Sequence, residues 1–406
     1  MKGIAITILL AFRNLTRNRR RSLLTIAAIA FALVCLLVFN ALKEGLHQTM
    51  MSTAIATDVG AIQIHAQGFT ANLASLTPLP DPERASTTLT ALGLTNFARR
   101  LKGNGLILAG PKSAAVLLHG VTAAEERRVT VVHERMVAGK APEGEREIML
   151  GESLALGLGL TVNEPITIMA QDLFGAPVTR RFTVSGIFRT GVVAFDQGHL
   201  FMTLAGLQSF LDARGMISEI SVSTPLTGHG AAADLLRRRL GQGYQVKTWE
   251  ELLPDVTELI ALNETTMSIL IAIVFLMVAM GIVNTMTTIT FERFREFGTI
   301  AALGGTPAGI MGLVTAEALA LGLTASLVGS AIGLGLSLYL ARHGIDLTTL
   351  TSNNQYFSNN HILKAVLDWR EVLATNGFTL LTSLVAGLYP AWVAGRQNPA
   401  QALTHL

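Results

Sequence analysis

Residues 22–42 read SLLTIAAIAFALVCLLVFNAL, without one charged side chain. As a helix rising 1.5 Å per residue, the run is about 30 Å long, the thickness of a hydrocarbon core. Arg13, Arg17, Arg19, Arg20 and Arg21 stand immediately upstream, and positive residues beside an apolar run hold that end in the cytoplasm. No aromatic side chains are interleaved among these arginines to stack bases, so no nucleic-acid partner is expected. The run outlasts the apolar core of a signal peptide, and no small-x-small site precedes a polar mature start, so it is read as a retained span.

Three further runs, residues 267–290, 308–341 and 372–394, lack Lys and Arg in their interiors, and Glu317 is the one acid that interrupts them. The whole chain is 50% hydrophobic and 15% charged, with a mean hydropathy of +0.47, far from the balance of a soluble enzyme. The expected fold is therefore an α-helical membrane protein with four transmembrane helices plus a mixed α+β extracytoplasmic domain inserted between the first and second spans. Residues 1–21 form a cytoplasmic segment in which Ile4, Ile8, Phe12 and Leu15 share a helical face suited to the membrane interface. Residues 43–263 form the outer domain with its stalk, 291–306 a cytoplasmic loop, 342–371 an outer loop and 395–406 a cytoplasmic tail. Both termini are expected inside a bacterial inner membrane.

The third run is long. From residue 307 to 342 a helix would measure about 54 Å, so it must tilt, break or project. Ala318, Gly322, Ala325, Gly329 and Gly333 give it a stripe of small residues for close approach to a neighbouring helix. Leu252, Leu253, Val256, Leu259 and Ile260 make an apolar stripe ahead of the second span, read as a stalk helix.

In the outer domain, residues 61–65, 147–150, 165–170 and 181–186 read as strands, and 152–158, 204–211 and 231–240 as helices. Residues 77–84 and 139–144 read as loops joining two lobes, and 172–177 (DLFGAP) as a hairpin turn. The single cysteine, Cys35, lies in the first span, so no disulfide supports this domain. Motifs for chemistry fail on spacing. His133 and Glu134 are followed by Val137 where a zinc-binding helix needs its second histidine. Ala155 stands where a nucleophile elbow needs glycine. Residues 105–113 (GLILAGPKS) separate Gly110 from Lys112 by a proline, which spoils a phosphate loop. No catalytic residue, metal site or cofactor is expected on this chain.

Residues 291–297 (FERFREF) place Phe291, Phe294 and Phe297 at every third position with charges on other faces, a short amphipathic helix suited to lipid or to a partner's groove. Thr306 and Pro307 read as the N-cap and first residue of the next helix. The stretch 295–306 (REFGTIAALGGT) resembles the cytoplasmic-loop signature of ABC transporter permeases of the MacB, FtsX and Lol-type lipoprotein-releasing superfamily. Residues 11–28 (AFRNLTRNRRRSLLTIAA) and 389–403 (YPAWVAGRQNPAQAL) resemble the family's two ends, and 151–191, which closes on SGIFRTG, with Asp196 resembles its outer-domain core.

The resemblance implies a permease that pairs with a second protomer, identical or homologous, and with two copies of a separate ATPase that uses ATP and Mg. Its cycle would move the outer domain by mechanotransmission. It implies a coupling helix over residues 291–298, with Phe291, Phe294, Arg295, Glu296, Phe297 and Gly298 as ATPase-coupling residues. Ala301 departs from the basic residue common in relatives. The lack of an ATPase domain argues against the fused macrolide-exporter arrangement. Within the family the chain resembles the lipoprotein-releasing branch: extraction of lipoproteins or similar amphiphiles, with a periplasmic acceptor and membrane lipids as further partners. Phe31, Val34, Val38, Leu270, Val274 and Met277 are the candidate substrate-cavity residues. An FtsX-like scaffold that activates a cell-wall hydrolase, or a peptide or drug efflux permease, are the alternatives.

Overall fold

The computed structural model describes residues 10–11, 13–14, 19–69, 77–225, 227–346 and 362–396. Ile4, Ile8, Phe12 and Leu15, the expected interfacial face, lie outside the described residues. The helices are α1 (Arg19–Ala54), α2 (Pro82–Ala91), α3 (Ala123–Glu126), α4 (Glu152–Leu158), α5 (Val193–Gly198), α6 (Leu204–Phe210), α7 (His229–Leu240), α8 (Trp249–Leu252), α9 (Pro254–Glu292), α10 (Phe294–Ala302), α11 (Pro307–His343) and α12 (Trp369–Gly395). The strands are β1 (Ile62–Ala66), β2 (Phe97–Ala109), β3 (Lys112–Val121), β4 (Met136–Gly139), β5 (Glu147–Gly151), β6 (Pro165–Gln171), β7 (Pro177–Phe188), β8 (His199–Thr203), β9 (Glu219–Val222), β10 (Tyr244–Thr248), β11 (Ile345–Asp346) and β12 (Ile362–Leu363). Among the described residues, four helices, α1 with its π-helical extension to Val59, α9, α11 and α12, are long and apolar enough to cross a membrane. Within those residues the chain divides into a helical unit (within residues 10–47, 260–346 and 362–396) and a second unit (within residues 48–259).

In the helical unit α11 runs unbroken from Pro307 to His343, so its excess length is not absorbed by a break. Thr306 caps it as expected, its hydroxyl accepting from the Gly309 amide at 3.2 Å, with Pro307 in the first turn. The small-residue stripe serves two neighbours. Gly322 lies against Ser383 and Ala318 against Gly387, both on α12, whereas Gly329 abuts Ala30 and Gly333 abuts Leu37 and Val34 on α1. A β-carbon at Gly329 would fall 2.9 Å from the Ala30 carbonyl oxygen, so the approach of α1 to α11 at this point needs glycine. Ser330 donates to Asn376 across α11 and α12 at 2.9 Å. The exception is α9: 6% of its most apolar stretch is buried in the chain, against 39% for α1 and α11.

The second unit is built on a ten-stranded sheet. The long strand β2 explains its shape. One edge pairs along its length with β3; the other pairs first with β9 (Phe97–Arg100) and then with β6 (Gly105–Leu108). From the second half, pairings β2–β3–β8–β5–β7–β6 return to β2 and close a barrel. Its interior is apolar, filled by Ile107, Leu118, Ile148, Ile168, Phe182, Leu200 and Met202 and plugged by Leu154 of α4 and Leu207 and Phe210 of α6. From the first half, β9, β1 and β10 continue outward as an antiparallel extension, covered by α2 and α7 through Leu89, Ala233, Leu236 and Leu240.

The expected strands are found as β1, β5, β6 and the second half of β7, and the expected helices as α4, α6 and α7. Residues 105–113 are the end of β2, the turn at Gly110 and the start of β3. Two expectations are corrected. Residues 77–84 are not all loop, because Asp81 accepts from the Arg84 amide at 3.0 Å and Pro82 opens α2. Residues 139–144 do not separate two lobes; they link β4 to β5, both in the barrel part of the one sheet. The apolar stripe before the second span is also divided, since α8 ends at Leu252 and α9 restarts at Pro254.

Candidate coupling site and membrane groove

The FERFREF stretch is not one helix. α9 continues to Glu292, Arg293 leaves helical geometry at φ −99° and ψ 16°, and α10 begins at Phe294. That break rotates Phe291 away from its expected partners and gives the phenylalanines different roles. Phe297 is 1% exposed and packs among Met286, Ile289, Ile310 and Val314, with Gly298 buried beside it. Phe291, 58% exposed, instead lines an open cleft of about 370 Å³ with Glu292, Phe294 and Arg295. Glu296 accepts from Arg293 Nε at 2.9 Å. Of the predicted coupling residues, Phe291, Phe294 and Arg295 therefore share an open face, while Phe297 and Gly298 anchor it.

Sequence reasoning misses Arg293. Its Nη1 donates to both carboxylate oxygens of Glu317 at 2.7 and 2.9 Å, and its guanidinium lies 5.0 Å over the Phe297 ring. Asn14 Nδ2 donates to the same carboxylate at 2.6 Å. A signal for it is present: a lone acid inside the apolar run 308–341 needs a cation, and the nearest in sequence are Arg293 and Arg295.

Between α1 and α9 lies a groove of about 550 Å³. Leu24, Ala28, Ile29, Ala32, Val274, Met277 and Val278 give apolar walls; Arg21, Thr25, Asn284, Thr285 and Thr288 make one stretch of it polar. Thr25 and Thr285 hydroxyls meet at 3.0 Å, and Arg21 Nη1 donates to Glu292 at 2.7 Å. Of the predicted cavity residues Val274 and Met277 line this groove. Phe31, Val34, Val38 and Leu270 do not; Val34 faces Gly333 and Phe31 is exposed.

The second unit holds a buried charge cluster. Arg100 Nε and Nη2 donate to Glu126 at 2.9 and 2.7 Å, and Nη1 donates to Glu219 at 3.2 Å and to the Asp58 carbonyl at 2.6 Å. Lys102 bridges Asp58 at 3.1 Å and Glu219 at 3.2 Å. Strand alternation puts Arg100 and Lys102 on one face of β2 and Leu101 in the barrel on the other. Burial would raise the Glu219 carboxyl, but Lys102 and Arg100 bring it below its usual range. Burial likewise disfavours charge on Lys102, and Asp58 and Glu219 overcome it to raise the ammonium. His119 and His199 share a hydrogen bond at 2.8 Å, and burial lowers His199 and His65 to about 4 against the pull of Asp58 and Glu219 respectively. Away from this cluster, the β6–β7 hairpin turns on Asp172, whose carboxylate accepts from the Phe174 and Ala176 amides at 2.9 and 2.8 Å, leaving Phe174 78% exposed.

An apolar helical body, a β-rich unit between its first two long helices in the chain, and an amphipathic helix with an open aromatic face together describe a membrane permease. A family model described as FtsX-like permease C-terminal matches residues 268–399, and one described as MacB-like periplasmic core domain matches residues 22–240. The lipoprotein-releasing system transmembrane protein LolC of Xylella fastidiosa is 24% identical over 421 residues, covering 98% of this chain and 99% of that protein. The macrolide export ATP-binding/permease protein MacB of Wolinella succinogenes is 24% identical over 417 residues, covering 97% of this chain and 60% of that protein. The crystal structure of the periplasmic region of MacB from Actinobacillus actinomycetemcomitans aligns at 13% identity and a TM-score of 0.35, over 51% of this chain and 95% of that one. The chain belongs to the MacB/FtsX/Lol-type ABC permease superfamily and is a multi-pass inner-membrane protein.

Proposed function

We propose that this chain is the membrane subunit of an ABC transporter that extracts lipoproteins or similar amphiphiles from the inner membrane, driven by ATP and Mg in a separate ATPase present in two copies. The groove between α1 and α9 carries the reading. An acyl chain needs apolar walls and its attached head needs polar ones, and this groove supplies both along one length. The end-to-end likeness to a lipoprotein-releasing protein supports the same cargo. α9 leaves Ile269, Leu270, Ile273, Leu276 and Met280 exposed, so a second permease protomer, identical or homologous, would close the groove. Phe31 and Leu270 are then contacts for that protomer or for lipid.

In this reading both termini face the cytoplasm and the β-rich unit lies in the periplasm. The ATPase engages the open face of Phe291, Phe294 and Arg295, and its motion reaches the periplasmic unit through α1 and α9, helices that run from one unit into the other. Exposed Phe174 at the β6–β7 tip is the candidate contact for a periplasmic acceptor.

The test is ATP-dependent release of a lipidated reporter from proteoliposomes holding the tagged chain and the ATPase that co-purifies with it. Met277→Trp in the groove should lower release, and Glu296→Lys or Phe294→Ala should lower ATP turnover with insertion intact. Release that is insensitive to Met277→Trp would reject the groove. Turnover without lipoprotein release would favour efflux of another amphiphile, the reading supported by the likeness to a macrolide export protein over 97% of this chain and 60% of that protein.

A further inference from the structure

Glu317 is the single acidic side chain in residues 308–341 and is 3% exposed, yet it is fully occupied. Its carboxylate takes both contacts from Arg293, at 2.7 and 2.9 Å, and one from Asn14 at 2.6 Å. Arg293 is the residue at which α9 gives way to α10, and it also holds Glu296 in the first turn of α10 and covers the Phe297 ring. One buried ion pair thus joins the start of the coupling helix, the interior of α11 and the segment preceding α1. Such a pair contributes little net stability, because desolvation of both charges offsets their attraction. What one planar guanidinium does supply, with Nη1 on Glu317 and Nε on Glu296, is a fixed direction between two carboxylates.

We infer that Arg293 and Glu317 are the joint of this transporter: Glu317 is a positioning residue that holds α10 rigidly to α11, so that a push on Phe294 and Arg295 moves the spans instead of swinging α10 on the turn at Arg293. The inference rests on the proposed coupling role of α10. It assigns Asn14 the task of carrying the same load into the N-terminal segment.

The test uses the full chain in nanodiscs with its co-purifying ATPase. Glu317→Gln keeps shape and removes the charge; it should leave the ATPase bound while permease-stimulated turnover drops about tenfold, a usual size for coupling between sites. Amide exchange across Phe294–Ala302 should speed up in the same variant, and the exchanged pair Arg293→Glu with Glu317→Arg, made together with Glu296→Gln so that no like charge faces residue 293, should recover both. If exchange and turnover in Glu317→Gln match the parent, or if the exchanged pair is no better than either single change, the joint does not exist. If no ATPase co-purifies with the parent chain, the proposed function fails, and the exchange comparison still decides the joint. Should Glu317→Gln fail to insert, Arg293→Lys, which keeps the charge but loses the planar group that holds Glu317 and Glu296 through separate nitrogens, must speed exchange for the inference to stand.

Discussion

Arg99 and Arg100 are adjacent on β2 and face opposite ways. Arg99 bonds Glu125 and Glu83 at the surface with 38% of its side chain exposed, whereas Arg100 is 1% exposed among Glu126, Glu219 and the Asp58 carbonyl. Replacing each with Met separates a surface ion pair from a buried one at neighbouring positions. For Arg99→Met the expected cost is about 0–1 kcal/mol, since Arg99 and Glu83 are open to water and Glu125 keeps the Arg99 amide at 2.9 Å. For Arg100→Met, Glu126 keeps a Thr130 hydroxyl at 2.8 Å and Glu219 keeps Lys102, but Glu126 loses both of its bonds from the guanidinium. Stranding a buried carboxylate in this way costs about 3–5 kcal/mol. For a unit of this size each kcal/mol moves the midpoint by roughly 2–4 °C, so the fall should be about 6–20 °C. The assay is thermal unfolding of the full chain in nanodiscs, read by amide exchange in β2 and β9. Adding Glu126→Gln should restore part of the loss by removing the stranded charge. Equal shifts for Arg99→Met and Arg100→Met would refute the reasoning.

Acid should weaken the same unit. His65 and His199 titrate near 4 when folded and near 6.5 when unfolded, so the unfolded chain takes protons first as pH falls; their contribution is intact above 6.5 and lost between 6.5 and 4. By pH 5 the loss is about 2 kcal/mol for each, read as a lower melting point than at pH 7.5. An unchanged slope in His65→Gln and His199→Gln would remove the histidines as the cause. Glu219, lowered in the fold, adds a loss only below the ordinary carboxylate range. In the helical unit, Gly329→Ala should cost about 1–3 kcal/mol by forcing α11 from Ala30. Gly335→Ala, with open space around it, should be neutral or gain up to about 1 kcal/mol. Equal protease resistance for these two glycine variants would deny the α1–α11 contact.

The four spans are legible in the sequence because a helix that long and apolar on every side can be buried only by lipid or by a large protein interior, and this chain offers no such interior. The coupling stretch is legible in place but not in form. Threefold spacing of Phe291, Phe294 and Phe297 is the same whether one helix or two carry it, and the break falls at Arg293, whose bond to Glu317 is a contact across 24 residues. Similarly, Gly151 reads as part of a failed catalytic motif, whereas its missing side chain makes room for the Asp196 backbone. Asp196 in turn accepts from the Thr190 hydroxyl and amide at 2.6 and 3.0 Å, tying the SGIFRTG segment to α5. The buried histidines and Arg100 leave no pattern in the sequence, because their partners come from separate strands and turns far apart in the chain.

Strand β1 is made early and completed late. Residues 62–66 pair on one side with β9 and on the other with β10, whose Thr248 meets Ile62. At a synthesis rate of about 5–20 residues per second, that partner emerges roughly 10–40 s after β1 does. Until β9 emerges the nascent strand, IQIHA, has two open edges, and until β10 emerges it has one. Synthesis of this permease therefore includes a waiting period in which those edges are open to pairing with a neighbouring copy.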